Sequence, residues 1–261
     1  MTLVWRLLIR DIRAGEVWLL LAALILAVTA TTSLRFFSAS IEQGLTRQAA
    51  SLLGADLILN SSRPIHPNLP QAARERGLQQ AMVTEFSSMI QRQDQFQLAA
   101  VKAVTSGYPL RGELKARRGN TFLPAGSLPD PGTLWLDQRL FGLLGVALDD
   151  EVQLGDIRLR IAAMLVSEPD RGGNYSAFAP RALMHADDIA AAGIIQPGSR
   201  VQYRLLLAGP AQAITRFRDD LKPRLAVGER LLDVASGRSD VGTPLARASD
   251  YLSIAAIAAV V

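Results

Sequence analysis

Eighteen consecutive residues without a charge, Val17 to Leu34 (VWLLLAALILAVTATTSL), constrain this chain more than any other feature. At 1.5 Å per residue, a helix of that length extends about 27 Å, close to the thickness of a bilayer's hydrocarbon core. A helix buried in a soluble protein rarely goes so far without a polar face. Glu16 and Arg35 bound the run, and Trp18 lies where an interfacial aromatic would sit. A cleavable signal peptide is the rival reading, since Arg6, Arg10 and Arg13 precede the run and Ser38-Ala39-Ser40 would pass as a weak cleavage site. Signal cores are usually about 7–15 residues long, so an uncleaved anchor over 17–34 is the expectation.

The flanks extend this picture. Residues 3–13 place Val4, Leu7, Leu8 and Ile12 on one helical face and the three arginines elsewhere. That pattern suits an amphipathic leader over 1–16 on the inner membrane surface, or a ragged extension of the span. The balance of Arg before and after the span favours a cytoplasmic N-terminus, with Arg35 and Arg47 on the far side making the margin thin. Ala23, Ala27 and Thr31 recur every four residues, a small-residue spacing that lets a second membrane helix approach; chance produces it too in an Ala-rich segment. At the other end, residues 251–261 carry the ten-residue apolar run LSIAAIAAVV, too short to span a bilayer. It reads either as the end of a soluble helix or, preferably, as the start of a second transmembrane helix.

Residues 35–250 have the composition of a water-soluble domain, expected outside the cytoplasm. Arg35–Leu53 keeps helical spacing through Phe37, Ile41, Leu45 and Leu52, with Gly54 as its stop. A strand is expected over 55–61, and a short helix capped by Asn68 and closed by Gly77. A hairpin of 82–92 with 95–104 should turn at Gln93-Asp94, and a second, 151–154 with 157–166, at Gly155-Asp156. Asp137 should cap a helix over 138–144. A strand at 201–207, a helix from Pro210 with Ile214, Phe217, Leu221 and Leu225 inward, and a strand at 231–235 complete the set. The order β-α-β-β, insertion, β-α-β predicts an α+β fold: a split ferredoxin-like layer with a β-rich lobe, about 105–199, inserted into it. Residues 236–249 would return the chain to the membrane.

The chemistry is sparse. Without cysteine there is no disulfide framework, thiolate metal site or thiol nucleophile. A net charge of +4, with arginines interspersed among acids, offers no basic block for nucleic acid. No P-loop, dinucleotide fingerprint or G-x-S-x-G elbow is present. His66 and His185 stand alone and read as surface residues, and Asp149-Asp150-Glu151 reads as an acidic turn. Glu168-Pro169-Asp170-Arg171-Gly172-Gly173 is the most distinctive loop, either a solvated turn or a binding segment. These readings assign no catalytic, cofactor or metal residues.

Several segments carry a resemblance. RDIRAGE before the span, LLGADLILNSSRPI, AVKAVTSGYPLRGEL, GTLWLDQRLFGLLGVALDDEVQLGD, LVSEPDRGG and IIQPGSRVQYRLLLAG together resemble ABC-type permeases of the FtsX/MacB/LolC-LolE superfamily, nearest its YbbP-like branch. Their order along the chain carries the likeness. The resemblance implies the N-terminal part of a permease subunit of the bacterial inner membrane, with a periplasmic core domain between two membrane helices. It also implies a separate cytoplasmic ATPase whose hydrolysis moves that domain, and a periplasmic or envelope partner. A single-anchor binding or adaptor protein is the alternative. A membrane-tethered hydrolase would need a nucleophile and base that the sequence does not show.

Overall fold

The computed structural model of the chain describes residues 16–170, 179–196 and 198–233. The leader over 1–15, the 236–249 return and the apolar run from 252 lie outside the described residues. Backbone contacts divide the chain into two units, 1–47 with 238–261, and 48–237.

In the first unit the uncharged run belongs to helix α1 (Glu16–Leu53), which continues without a break to Leu53. Trp18, Leu24, Leu26 and Phe36 are exposed on it. The hydroxyls of Thr29 and Thr31 donate back to the carbonyls of Ile25 and Val28, at 2.7 and 3.0 Å, so they add no unsatisfied donor. Among the described residues no helix is long and apolar enough to cross a membrane; several side chains between 17 and 34 lie outside the description.

The second unit is built on one mixed sheet of eleven strands. These are β1 (Leu57–Ser61), β2 (Gln79–Arg92), β3 (Gln95–Val104), β4 (Lys115–Arg118), β5 (Thr121–Phe122), β6 (Thr133–Asp137), β7 (Glu151–Leu154), β8 (Ile157–Ser167), β9 (Arg181–His185), β10 (Val201–Ala208) and β11 (Glu229–Asp233). Helices α2 (Asn68–Glu75), α3 (Gln138–Leu144), α4 (Asp188–Ala192) and α5 (Ala211–Leu221) connect them.

Four strands, in the order β11-β1-β10-β2 and all antiparallel, form a layer whose crossovers are α2 and α5. The helices cover one face: Ile214, Phe217 and Leu221 of α5 and Ala73 of α2 bury against Leu57, Leu59, Leu205 and Leu207. Those four strand residues sit two apart on their strands, as a one-sided apolar face requires.

Between β2 and β10 the chain builds a closed ring. β2 pairs β3, β3 pairs β9, β9 pairs β6, β6 pairs β8, β8 pairs β7, and β7 returns to β2 at Ile90↔Leu154. Ile90, Val101, Leu134, Leu136, Leu154, Leu159 and Ile161 fill it, and α3 plugs it with Leu140 and Leu144. β8 shows the expected alternation, Leu159 and Ile161 buried and Arg158 and Arg160 exposed. Fourteen residues long, β2 serves both halves: Gln79–Phe86 pair with β10, and Val83–Arg92 pair with β3. The inserted strands therefore join the layer's own sheet, with β3 pairing both β2 and β9.

A third core lies on the layer's other face. Ile58, Val83, Val104, Leu183 and Leu206 bury beneath Tyr108, Leu114 and the partly buried Leu53, Leu110 and Leu123. The Gly- and Pro-rich stretch that follows β3 thus folds over the sheet as a cover.

Local expectations fared well where capping chemistry was strong. Asp137 accepts a hydrogen bond from Leu140 N at 3.1 Å, and Gly145 ends α3 in the left-handed region. Asn68 is the first residue of α2 and not its cap; Pro67 occupies that position with no side-chain bond. The last strand, Glu229–Asp233, starts two residues earlier than expected, and 234–235 lie outside the described residues.

Candidate functional site

Charged side chains interrupt the third core where strand periodicity demands apolar ones. On β3 the residue two before buried Val104 is Lys102; on β10 the residue two before Leu206 is Arg204; on β9 the residue two before Leu183 is Arg181; on β2 the residue two after Val83 is Glu85. Lys102 is 3% exposed. From above, Glu168 and Asp170 descend onto these strands, 6% and 7% exposed, so the loop's first residues are not a solvated turn.

The contacts are direct. Lys102 Nζ donates to Asp170 Oδ1 at 2.7 Å and Glu168 Oε2 at 2.9 Å, and lies 3.5 Å from Glu85 Oε1. Arg204 reaches Asp170 Oδ2 at 2.7 Å and Glu85 Oε1 at 3.0 Å. Arg181 donates to Glu168 Oε1. The Tyr108 hydroxyl donates to Asp170 Oδ1 at 2.5 Å. Three cations thus face three carboxylates, and the cluster is neutral as a whole. Neutrality and mutual hydrogen bonding are what allow buried charges to persist.

Titration follows. Burial pushes the Asp170 carboxyl up, but the Lys102 and Arg204 charges and the bonds from Lys102 and Tyr108 outweigh it and hold it at about 2. Burial pulls Lys102 down, and Asp170, Glu168 and Glu85 together raise it above its ordinary value. Burial and the neighbouring carboxylates push the Tyr108 phenol well up.

The cluster is tied to the end of α1. Gly54, at φ +74°, turns the chain out of the helix, and its carbonyl accepts the backbone N–H groups of Leu110 and Arg111, each at 3.0 Å. Arg111 grips Asp56 with two bonds, 3.0 and 2.7 Å, and Asp56 also accepts Gly209 N at 3.0 Å. Gly112 passes so close that a Cβ there would lie 2.5 Å from Ser51 O. The 105–112 loop therefore bonds to the helix end at one side and, through Tyr108, to the ion cluster at the other.

Beside the cluster runs an open cleft of about 970 Å³. Its walls include Asn60, Gln202, Arg204, Asp170 and Arg230, with Leu52 and Leu53 of α1.

The residues singled out from sequence fall elsewhere. Ala23, Ala27 and Thr31 share α1; Ala23 and Thr31 are exposed, and the Ala27 side chain lies outside the description. His66 and His185 accept local backbone N–H groups, Asn68 at 3.4 Å and Asp187 at 3.3 Å. Asp149 is gripped by Arg118 and Arg160, and Asp150 by Arg92 at 2.8 Å, so the acidic turn is engaged by arginines. Among the described residues no group of three or more His, Asp or Glu side chains could hold a metal. Sequence reasoning missed Glu85, Lys102, Tyr108, Arg181 and Arg204. The available signal was a charge on the inward phase of an apolar strand, as in LAAVKAV and YRLLLA.

No protein-family model matches the chain. Over 248 residues, 95% of its length, it is 32% identical to the uncharacterized ABC transporter permease YbbP of Escherichia coli K12, and it spans 30% of that relative. Among solved structures, the periplasmic region of MacB from Actinobacillus actinomycetemcomitans matches with a TM-score of 0.50 at 10% identity, covering 74% of this chain and 95% of that one. The extracellular domain of the noncanonic ABC-type transporter YknZ from Gram-positive bacteria matches with a TM-score of 0.46 at 10% identity, covering 68% and 100%.

Proposed function

With the chain a relative of the ABC transporter permeases and its fold that of a MacB-type periplasmic region, we propose that it is the N-terminal part of a permease subunit that couples ATP hydrolysis by a separate cytoplasmic ATPase to movement of an extracytoplasmic domain. In this reading 17–34 is a membrane anchor in the bacterial inner membrane, and 48–233 stands on the periplasmic side. Ala23, Ala27 and Thr31 are the packing stripe toward other membrane helices, and 251–261 begins the next span. The layer and the strand ring form the two lobes of the domain, joined by β2. An envelope or periplasmic protein is the expected recipient of the movement.

One observation carries the proposal beyond kinship. The helix that contains the uncharged run ends in the Gly54 and Asp56–Arg111 clamp, and the clamped loop enters a buried, hydrogen-bonded ion cluster on four strands. A helix end held this way transmits displacement to the sheet, because packed cores shift between discrete arrangements and do not deform smoothly. Kinship to a permease does not favour the stand-alone adaptor reading.

The test uses the complete permease reconstituted with its ATPase. Amide exchange of residues 105–112 should change when ATP is added. A three-residue Gly-Ser insertion at Gly44 should abolish that change while ATP hydrolysis continues. Exchange that ignores ATP, or that still responds with the insertion in place, rules out coupling through α1.

A further inference from the structure

Pro169 stands between Glu168 and Asp170, and the two carboxylates fasten it from both sides. Glu168 accepts from Lys102 and Arg181, and Asp170 from Lys102, Arg204 and Tyr108. The cations rise from β3, β9 and β10, so one turn is fastened to strands of both the ring and the layer. The proline ring itself packs against the end of α1 and the loop bound to it. Its Cγ lies 3.6 Å from the place a Gly54 Cβ would take, and its Cβ 3.0 Å from the place of a Gly112 Cβ. Both glycines sit in the left-handed region, at φ +74° and +76°, and neither carries a side chain, so the ring lies alongside both backbones. A proline there has no N–H to satisfy and a fixed φ, which makes it a stiff spacer.

The ring cannot leave without moving the carboxylates that flank it. A buried carboxylate drawn off its cations leaves charge uncompensated on both sides, so partial withdrawal is costly and the turn is seated or released as a whole. We propose that Glu168-Pro169-Asp170 is a latch: seated, it holds the end of α1 and the 105–112 loop against the sheet, and its release frees both together. Pro169 is the positioning residue that carries the state of the ion cluster to Gly54 and Gly112. The use of the latch in transmission rests on the coupling reading above; the latch itself does not.

The test needs no ATP and uses amide exchange on the full chain in nanodiscs. The reporters are the N–H groups of Leu110 and Arg111, which donate to the Gly54 carbonyl, and of Asp56, which donates to Leu207. Pro169→Gly removes the ring and keeps both carboxylates. It should speed exchange at all three reporters by about tenfold or more, while the amides of β7 keep their rate, which separates release of the latch from general loosening. The acid side of its denaturation curve, which reports Asp170, should stay steep. Asp170→Asn breaks the cluster and keeps the ring, and it should speed the same three reporters. Since either change releases one latch, the double variant should exchange little faster than the faster single one, whereas two independent supports would multiply. Where Asp170→Asn alone folds too poorly to measure, Asp170→Asn with Lys102→Met, which restores neutrality, takes its place. Asp149→Asn, at an exposed carboxylate held by Arg118 and Arg160, should leave the reporters as they were. The proposal is overturned by unchanged exchange in Pro169→Gly, by an equal rise in β7, or by effects that multiply in the double variant. Exchange at 105–112 that ignores ATP in the reconstituted permease would remove the coupling and leave the latch standing.

Discussion

Three donors, Lys102, Arg204 and Tyr108, converge on the two oxygens of Asp170. Asp170→Asn keeps the shape but leaves the cluster with three cations against two carboxylates. Removing one partner of a buried ion set costs about 3–5 kcal/mol, and chemical denaturation of the chain should show a loss of that order. Adding Lys102→Met restores neutrality, so the double variant should recover part of it, a coupling that a double-mutant cycle reads directly. The pH dependence has a definite sign. Asp170 titrates near 2 in the fold, below its ordinary value, so its contribution is complete above about pH 4 and fades as pH falls toward 2. Lys102 is raised, so its contribution is complete below its ordinary value and fades only as pH climbs past it. Denaturation midpoints should therefore drop on the acid side in the native chain, and Asp170→Asn should flatten that limb. An acid limb as steep in the variant as in the native chain contradicts the assignment.

At the scale of elements, the decisive junction is where α1 meets the 105–112 loop. Gly112 sits at φ +76° against the carbonyl of Ser51, so Gly112→Ala meets both a left-handed backbone penalty of about 1–3 kcal/mol and a clash with backbone that cannot swing aside. Gly119 has φ +63° with nothing within 4 Å of its absent Cβ. Gly119→Ala should cost only the left-handed penalty, the same ~1–3 kcal/mol. The excess loss in Gly112→Ala, measured by thermal melting of both variants, gauges how tightly helix and loop are pressed together. Equal losses would mean the contact is slack and a poor conduit for motion. Sequence reading found α1, its Gly54 stop and the Asp137 cap because each rests on local chemistry. It did not single out the cover that Tyr108, Leu114 and Leu123 build, since a cover held by long-range contacts has no period of its own.

For the whole molecule, the expected orientation places residues 35–250 outside the cytoplasm. Protease added to spheroplasts should digest them, and full protection would reverse the topology. ATP dependence should belong to another subunit: calorimetry of the purified chain with ATP should show no binding heat, consistent with a sequence that lacks a P-loop. Tight nucleotide binding by this chain alone would be incompatible with the permease reading.

Local order was legible in the residues themselves. Apolar alternation marked β8 and β10, capping chemistry placed α3, and an eighteen-residue uncharged run marked the segment within α1. The order of short motifs pointed to the permease family. What depended on tertiary structure was which strands share hydrogen bonds. β2 is long enough to serve a layer and a ring at once, and no pattern within its fourteen residues says so, because its partners on β10 lie more than 100 residues away. The ion cluster is of the same kind. Lys102, Glu168, Asp170 and Arg204 look like surface charges one at a time; only the folded sheet brings them within 3 Å, and only their mutual neutralisation makes burial tolerable.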